Sequence, residues 1–266
     1  MTDRQANTID MTEAPDSELF VRAFARGLGV IESMGRGPER QTLAQIAEAA
    51  RLPRSVVRRL LMTLCTLEYA GTDGRHYWLT PSVMKLGLAY LYAQPLWRQA
   101  QRTLEDLRVE VQESCSMAVL DGTELVYVIR VPARRILSMN LSVGSRLPAH
   151  VVSLGRALLS GLSGESLTRH LSDAALVRLT PRTETSRAKL RRAIEAVHAL
   201  GYAWVDAELD ESICGIAVPV RDHAGQVVAA INVSLTAGEW TERKARTRFL
   251  APLRRASAQI RSTMMP

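Results

Sequence analysis

The chain is short of cysteine and aromatic residues and has no long apolar run. Three cysteines occur in 266 residues. Cys65, Cys115 and Cys214 lie too far apart for metal-ligand or redox spacing, and their odd number argues against a disulfide framework. A reduced, cytoplasmic protein is the simplest expectation. No apolar stretch approaches the ~20 residues that span a bilayer. The opening "MTDRQANTIDMTEAPDSE" has no apolar h-region, so a signal peptide is not expected there. A Walker loop, a dinucleotide fingerprint, a G-x-S-x-G elbow and an H-E-x-x-H pair are also missing, which weakens any enzymatic reading. Cys115 in "ESCSMAVLDG" has no evident histidine partner and reads as a small buried hydrophobe. Neither a metal nor a cofactor is expected.

Acidic residues are in deficit. Lys and Arg number 34 against 27 Asp and Glu, a net charge of +7. Such a balance favours polyanionic partners, nucleic acid ahead of a membrane surface. The bias is uneven: residues 1–17 lean acidic and read as a tail, while "ERKARTRFLAPLRRASAQIR" is basic and reads as a solvated helix face. Hydrophobic residues make up 47% of the chain, enough for a sizeable core in one large domain or two modest ones.

The patterning then divides. "LFVRAFARGLGVIESM" sets Phe20, Phe24, Leu28 and Ile31 at helical spacing. In "TLAQIAEAA", Thr42 and Gln45 have the form of a capping box, and Leu43, Ile46, Ala47 and Ala50 share one face. Pro53 suits the first position of the next helix, "RSVVRRLLMTLCTL". "YAGTDGRHYWLT" reads as a hairpin about Asp73-Gly74. Helix, helix, tight turn, helix, hairpin is the order of a winged helix-turn-helix. After Pro81, "SVMKLGLAYL" is an apolar helix. Strands and helices then mix. "SMAVLDG" and "ELVYVIRV" form a hairpin, and "ILSMNL" a third strand. "SLGRALLSGL" and "SRAKLRRAIEAVHALGY" are helices, the latter with Gly201 as C-cap. "ICGIAVPVRDHAGQVVAAINVSL" is a strand pair, and a long helix follows Thr241. Short turns between neighbouring strands indicate a mainly antiparallel sheet.

The stretch "LPRSVVRRLL" carries the functional argument. Val56, Val57, Leu60, Leu61 and Leu64 fall toward one side of a helix. Arg54, Ser55, Arg58 and Arg59 project on the other. Like charges four apart repel slightly, and no acid occurs between Glu48 and Glu68, so helix stability does not explain the pattern. Arginine can grip a guanine edge through two parallel hydrogen bonds, and the helix N-terminus adds partial positive charge. In this motif the second helix lies in the major groove. Arg75 on the hairpin, Arg51 in the turn, and Thr42 and Gln45 at the start of the preceding helix complete the candidate DNA contacts.

Together, "TLAQIAEAARLPRSVVRRLLMTL", "YAGTDGRHYWLTPSVMKLG", "SVGSRLPAHVVSLGRALLSGL", "GYAWVDAELDESICGIAVPV" and "VVAAINVS" resemble the IclR family of bacterial transcriptional regulators. Within it the chain is most similar to the branch controlling aromatic-acid breakdown through the β-ketoadipate pathway. The resemblance implies an α/β (α+β) chain: a winged helix-turn-helix over 18–80, a linker helix over 81–97 and a GAF-like effector domain over 98–266. It also implies dimers, often paired into tetramers, on palindromic operators, with RNA polymerase as a further partner. The implied effector is a small organic acid of the protocatechuate, 4-hydroxybenzoate, catechol or β-ketoadipate class. The resemblance places Ser153 and Leu154 before a helix, Glu208, Val218, Asn232 and Ser234 around the pocket, and Met139 and Leu141 as its apolar lid. Ser153 can alternatively be only a helix cap, and Glu208 only the partner of an arginine. Where the family usually has glycine in the turn, this chain has Arg51, so either Arg51 takes a left-handed backbone at some cost or the turn differs in geometry. The alternative is an enzyme, or a sensor without sequence-specific DNA binding, built on the C-terminal pocket.

Overall fold

The structure is a computed structural model, and it describes residues 19–93, 95–133 and 141–264. Two compact units divide at Tyr90 and Leu91. Each is described by itself.

The first unit begins with α1 (Arg22–Arg36), followed by β1 (Gln41–Thr42), α2 (Leu43–Ala49), α3 (Arg54–Thr66), β2 (Ala70–Thr72) and β3 (His76–Leu79). The Thr42–Gln45 capping box is formed as expected: Gln45 N–H donates to Thr42 Oγ1, and Thr42 N–H donates to Gln45 Oε1 at 2.8 Å. Arg51 takes the left-handed backbone, φ 51°, and its neighbour Leu52 closes α2 by donating to Ala47 O. A non-glycine residue there costs about 1–2 kcal/mol. Val30, Met34, Ile46, Val57, Leu61 and Leu64 form the core of this unit. The inward stripe of α1 differs from the spacing read in the sequence. Val30, Ser33 and Met34 are buried, whereas Phe24 and Leu28 are 69% and 40% exposed. The three strands pair antiparallel in the order β1-β3-β2, making the hairpin the wing.

A 3-10 turn (Pro81–Val83) leads into α4 (Met84–Ala93), which carries the division between the units and buries none of its residues.

The second unit contains α5 (Pro95–Val111), β4 (Ser114–Asp121), β5 (Glu124–Val131), β6 (Arg146–Pro148), α6 (Ser153–Leu159), α7 (Gly164–Asp173), α8 (Arg187–Leu200), β7 (Ala203–Asp206), β8 (Ile213–Arg221), β9 (Val227–Thr236) and α9 (Glu242–Ser262). The six strands form one antiparallel sheet ordered β6-β5-β4-β9-β8-β7. Gly201 closes α8 in the left-handed region, φ 72°, as a C-cap glycine should. The expected strand "ILSMNL" lies almost wholly outside the described residues.

The sheet is covered on both faces. On one, α5 and α9 bring Trp97, Leu104, Phe249, Leu253 and Ile260 against Met117, Ile216, Val218, Ile231 and Val233. On the other, α6 and α8 bring Leu154, Leu158 and Val197 against Ala118, Tyr127, Ala217 and Ala230. Successive strand residues point to opposite faces. The second face is therefore lined by Ser116, Asn232, Ser234 and Gly215, and this lining makes the site.

Candidate nucleic-acid interface and effector cleft

On α3 the apolar side is buried through Val57, Leu61 and Leu64, with Val56 and Leu60 half-buried beside them. Arg54, Ser55, Arg58 and Arg59 are exposed, as are Arg51 before the helix and Arg75 in the wing. Among the described residues, none of these five guanidinium groups has a carboxylate partner, whereas Arg36, Arg146 and Arg182 each do. The ridge is thus a set of solvated cations with no internal use. Gln45 is exposed at the start of α2, but Thr42 and the Gln45 side chain are engaged with each other as a cap.

The wing is held by a residue that periodicity did not single out. Asp73 Oδ1 accepts from His76 N–H at 2.7 Å and from Arg75 N–H at 2.9 Å, which draws its carboxyl pKa down to about 2. Arg40 lies 4.1 Å over the Trp78 ring and reaches Asp73 Oδ2 at 3.4 Å. Such a cation–π contact at an exposed site contributes about 0.5–1 kcal/mol. Together these contacts fix the tip that carries Arg75.

In the second unit a cleft open to solvent lies over the polar face of the sheet. Of the expected residues it brings together Leu141, Ser153, Glu208, Asn232 and Ser234. Leu154 and Val218 are not in its lining. Leu154 is fully buried in the core beneath α6, and Val218 faces the opposite side of the sheet, in the α5–α9 core. Strand parity decides this: on β8, Gly215 and Ala217 face the α6 side, so Val218 cannot. Met139 lies outside the described residues. The cleft is completed by Tyr127, Arg130, Val151, Val152, Val205, Leu209, Ile213, Cys214 and Gly215, none of which was singled out.

Ser153 is the first residue of α6, whose N-cap is Val152, and its hydroxyl makes no capping bond. It sits over β8 instead: a Cβ placed on Gly215 would lie 3.0 Å from Ser153 Oγ and 3.2 Å from Val233 O. Only glycine leaves that space clear. Asn232 Nδ2 donates to Ser234 Oγ at 3.1 Å, while Asn232 Oδ1 is buried without a partner.

Glu208 does meet an arginine, but in the interior. Arg156 Nη2 donates to Glu208 Oε2 at 2.7 Å, and both side chains are about nine-tenths buried. Glu184 N–H donates to the same oxygen at 3.0 Å, and Arg156 Nε–H donates to His150 O at 2.9 Å. The loop before β8 is pinned by two threonines of one segment: Thr180 Oγ1 donates to Ala207 O, and Thr183 Oγ1 to Glu208 O. Ala207 is held at φ 57°, which turns Glu208 toward the cleft. His150 is 1% exposed and neither ring nitrogen has a partner. Burial, then the charges of Arg156 and His170, lower its pKa to about 4, so it is neutral at ordinary pH.

The thiols offer no nucleophile. Burial pushes Cys115 and Cys214 up to about 12. Tyr127 is pushed up to about 12 as well, again by burial, with Arg130 opposing, so it remains a phenol able to donate. Among the described residues there is no cluster of three metal-ligating side chains, and no helix long and apolar enough to cross a membrane.

Both units match known protein families. The IclR helix-turn-helix domain matches residues 23–74, and the C-terminal domain of bacterial transcriptional regulator IclR matches residues 88–262. The chain is 41% identical over 242 residues to the Pca regulon regulatory protein of Pseudomonas putida, covering 91% of this chain and 83% of that protein. It is 34% identical over 221 residues to the p-hydroxybenzoate hydroxylase transcriptional activator of Acinetobacter baylyi, covering 81% and 82%. Among solved structures, a transcriptional regulator from Rhodococcus sp. RHA1 superposes with a TM-score of 0.81 at 39% identity, over 91% of this chain and 98% of that one. An IclR homologue from Microbacterium hydrocarbonoxydans, complexed with 4-hydroxybenzoate, gives a TM-score of 0.79 at 28% identity, over 90% and 98%. The chain belongs to the IclR family of bacterial transcriptional regulators: it is a DNA-binding regulator and not an enzyme.

Proposed function

We propose that the protein couples a small aromatic acid, bound in the cleft of the second unit, to occupancy of a promoter by α3. The observation that carries this reading is the cleft itself, a polar floor of Asn232 and Ser234 below apolar walls that include Leu141, Val205 and Leu209. A ring fits such walls, and its carboxyl and hydroxyl groups fit such a floor. Relatives named for a Pca regulon and for p-hydroxybenzoate hydroxylase, and a solved homologue complexed with 4-hydroxybenzoate, support the same reading. Arg51, Arg54, Ser55, Arg58, Arg59 and Arg75 are the proposed DNA contacts, with Thr42 and Gln45 placing the helix before them.

Self-association into dimers, and of dimers into tetramers, belongs to the proposal. Its support is exposed apolar surface: Phe24 and Leu28 on α1, and Met84, Leu86 and Tyr92 on α4. A two-fold dimer presents two copies of α3 to a palindromic site. Contact with RNA polymerase, activation of catabolic genes and a cytoplasmic setting complete the reading. The effector must bind one arrangement of the dimer better than the other, since a ligand of equal affinity for both shifts nothing.

The experiment is fluorescence anisotropy on the promoter fragment beside the gene. It is run with and without 4-hydroxybenzoate, protocatechuate, catechol and β-ketoadipate. One of these is expected to change the affinity or footprint for that fragment and not for an unrelated duplex. Selective DNA binding that no member of the panel alters would remove the aromatic-acid reading.

A further inference from the structure

We infer that Met62, one turn beyond the arginines of α3, reads the 5-methyl group of a thymine, so that each operator half-site carries an A·T pair whose thymine lies beneath Met62. This rests on the reading that α3 enters the major groove of duplex DNA, and it adds a base that no arginine specifies.

Met62 stands on the exposed face of α3. From Ser55, residues 59, 62 and 66 follow at the spacing of one helical stripe. Ser55, Arg59, Met62 and Thr66 are all exposed, and Arg58, four residues before Met62, is exposed beside them. The stripe that packs is the opposite one, through Val57, Leu61 and Leu64. Met62 is 54% exposed, whereas its neighbour Leu61 is fully buried. A single exposed apolar side chain is ordinary on a protein surface. What sets Met62 apart is its place, in line with a cationic ridge and on a stretch with no acid between Glu48 and Glu68.

The chemistry of this face changes along its length. The first two turns carry the donors Arg54, Ser55, Arg58 and Arg59. The next turn offers none. Thr63 Oγ1 donates to Arg59 O and Thr66 Oγ1 donates to Met62 O, both at 3.0 Å, so the threonine protons are used inside the helix. Met62 has no polar hydrogen at all. What this part of the face can give a partner is apolar contact. On the base edges of the major groove the apolar feature is the thymine methyl. Four residues of helix rise about 6 Å, and stacked base pairs lie about 3.4 Å apart. Met62 therefore falls one or two base pairs from the pair that Arg58 reaches. Its unbranched thioether chain adapts to the methyl without leaving a polar group unpaired in the interface.

The test is anisotropy on the promoter fragment beside the gene, with each thymine in turn replaced by uracil, which pairs as thymine does and lacks only the methyl. The full-length parent, Met62→Ala and Met62→Leu are compared. For the parent, uracil at one position in each half-site is expected to weaken binding about three- to fivefold, the effect of one methyl group taken out of water. Met62→Ala should bind the thymine fragment more weakly by at least that factor and be indifferent to uracil at that position. Met62→Leu should keep the discrimination. No phosphate contact is lost, so the slope of log affinity against log salt should match the parent's. An exposed side chain also predicts a melting midpoint within about 2 °C of the parent's for both variants. Unchanged affinity in Met62→Ala overturns the inference, as does a set of uracil effects that survives intact in that variant. A Met62→Ala defect accompanied by a change of mass in sedimentation overturns it too, because the face would then be a contact between copies of the chain. If the parent does not prefer the promoter fragment to a scrambled duplex, the groove reading fails first and takes this inference with it. If that preference is lost in Arg54→Ala, Arg58→Ala and untouched in Met62→Ala, this inference fails alone.

Discussion

Removing the Glu208 carboxylate should destabilise the second unit far more than an average side-chain truncation. Its partner Arg156 is 7% exposed and has no second carboxylate among the described residues. In Glu208→Ala the guanidinium keeps its bond to His150 O but loses its counter-ion, and Glu184 N–H loses its acceptor. Orphaning a buried charge in this way costs about 3–5 kcal/mol. For a unit of this size each kcal/mol moves the midpoint by about 2–4 °C, so Tm should fall by roughly 6–20 °C. Thermal melts followed by circular dichroism read the shift, and urea titrations with an unchanged slope confirm that stability itself has changed. The double variant Arg156→Met, Glu208→Leu removes both charges and should recover most of the loss, because the desolvation cost of the pair disappears with it. A Glu208→Ala midpoint within about 2 °C of the parent would refute the reasoning. A double variant less stable than the single would refute it equally.

Other consequences are as specific. His150 is neutral when folded, its pKa held at about 4, against an ordinary value of 6.5. Above pH ~7.5 it is uncharged in both states and its contribution is complete. As the pH falls below that, the unfolded chain takes up a proton that the folded one refuses. Stability should therefore drop by about 2 kcal/mol between pH ~7.5 and pH ~5, and His150→Gln should flatten that part of the urea-midpoint profile. Gly215→Ala sets a methyl 3.0 Å from Ser153 Oγ and 3.2 Å from Val233 O on the cleft floor. Effector affinity measured by calorimetry should fall at least ~tenfold, or about 1.4 kcal/mol, while DNA affinity without effector stays at the parent's value. Val218→Ala should do the reverse, costing about 2 kcal/mol of stability and leaving effector affinity unchanged, because Val218 packs in the other core.

The first unit was legible because its signals are local. The Thr42–Gln45 box, Pro53 at the head of α3 and the Asp73-Gly74 turn each depend on residues a few positions apart. The exposure of Arg54, Arg58 and Arg59 follows from helical periodicity alone. The cleft was harder. Both faces of the sheet are covered by helices, so β8 reads as a nearly continuous apolar run and its parity is hidden. The pattern alone therefore does not show that Val218 faces the α5–α9 core. The signal for Arg130, which lines the cleft, is a lone cation inside "ELVYVIRV". The register shift between Met117 and Ala118 further obscures which β5 residues share its face. The Arg156–Glu208 pair joins residues 52 apart, a distance at which the sequence pattern carries nothing. On α1, Phe24 and Leu28 have the spacing of a buried stripe, yet the face that packs is the one through Val30, Ser33 and Met34.

The central claim is that the exposed arginines of α3 read DNA. It is tested most directly by salt-dependent anisotropy on the promoter fragment and on a scrambled duplex, for the parent and for Arg54→Ala, Arg58→Ala. The parent should bind the promoter fragment more tightly, and its log affinity should fall with log salt by about 0.9 for each phosphate neutralised. The double variant should lose about 1–3 kcal/mol of that preference for each arginine that grips a base edge. An unchanged preference in the double variant, at every salt concentration, would contradict the account.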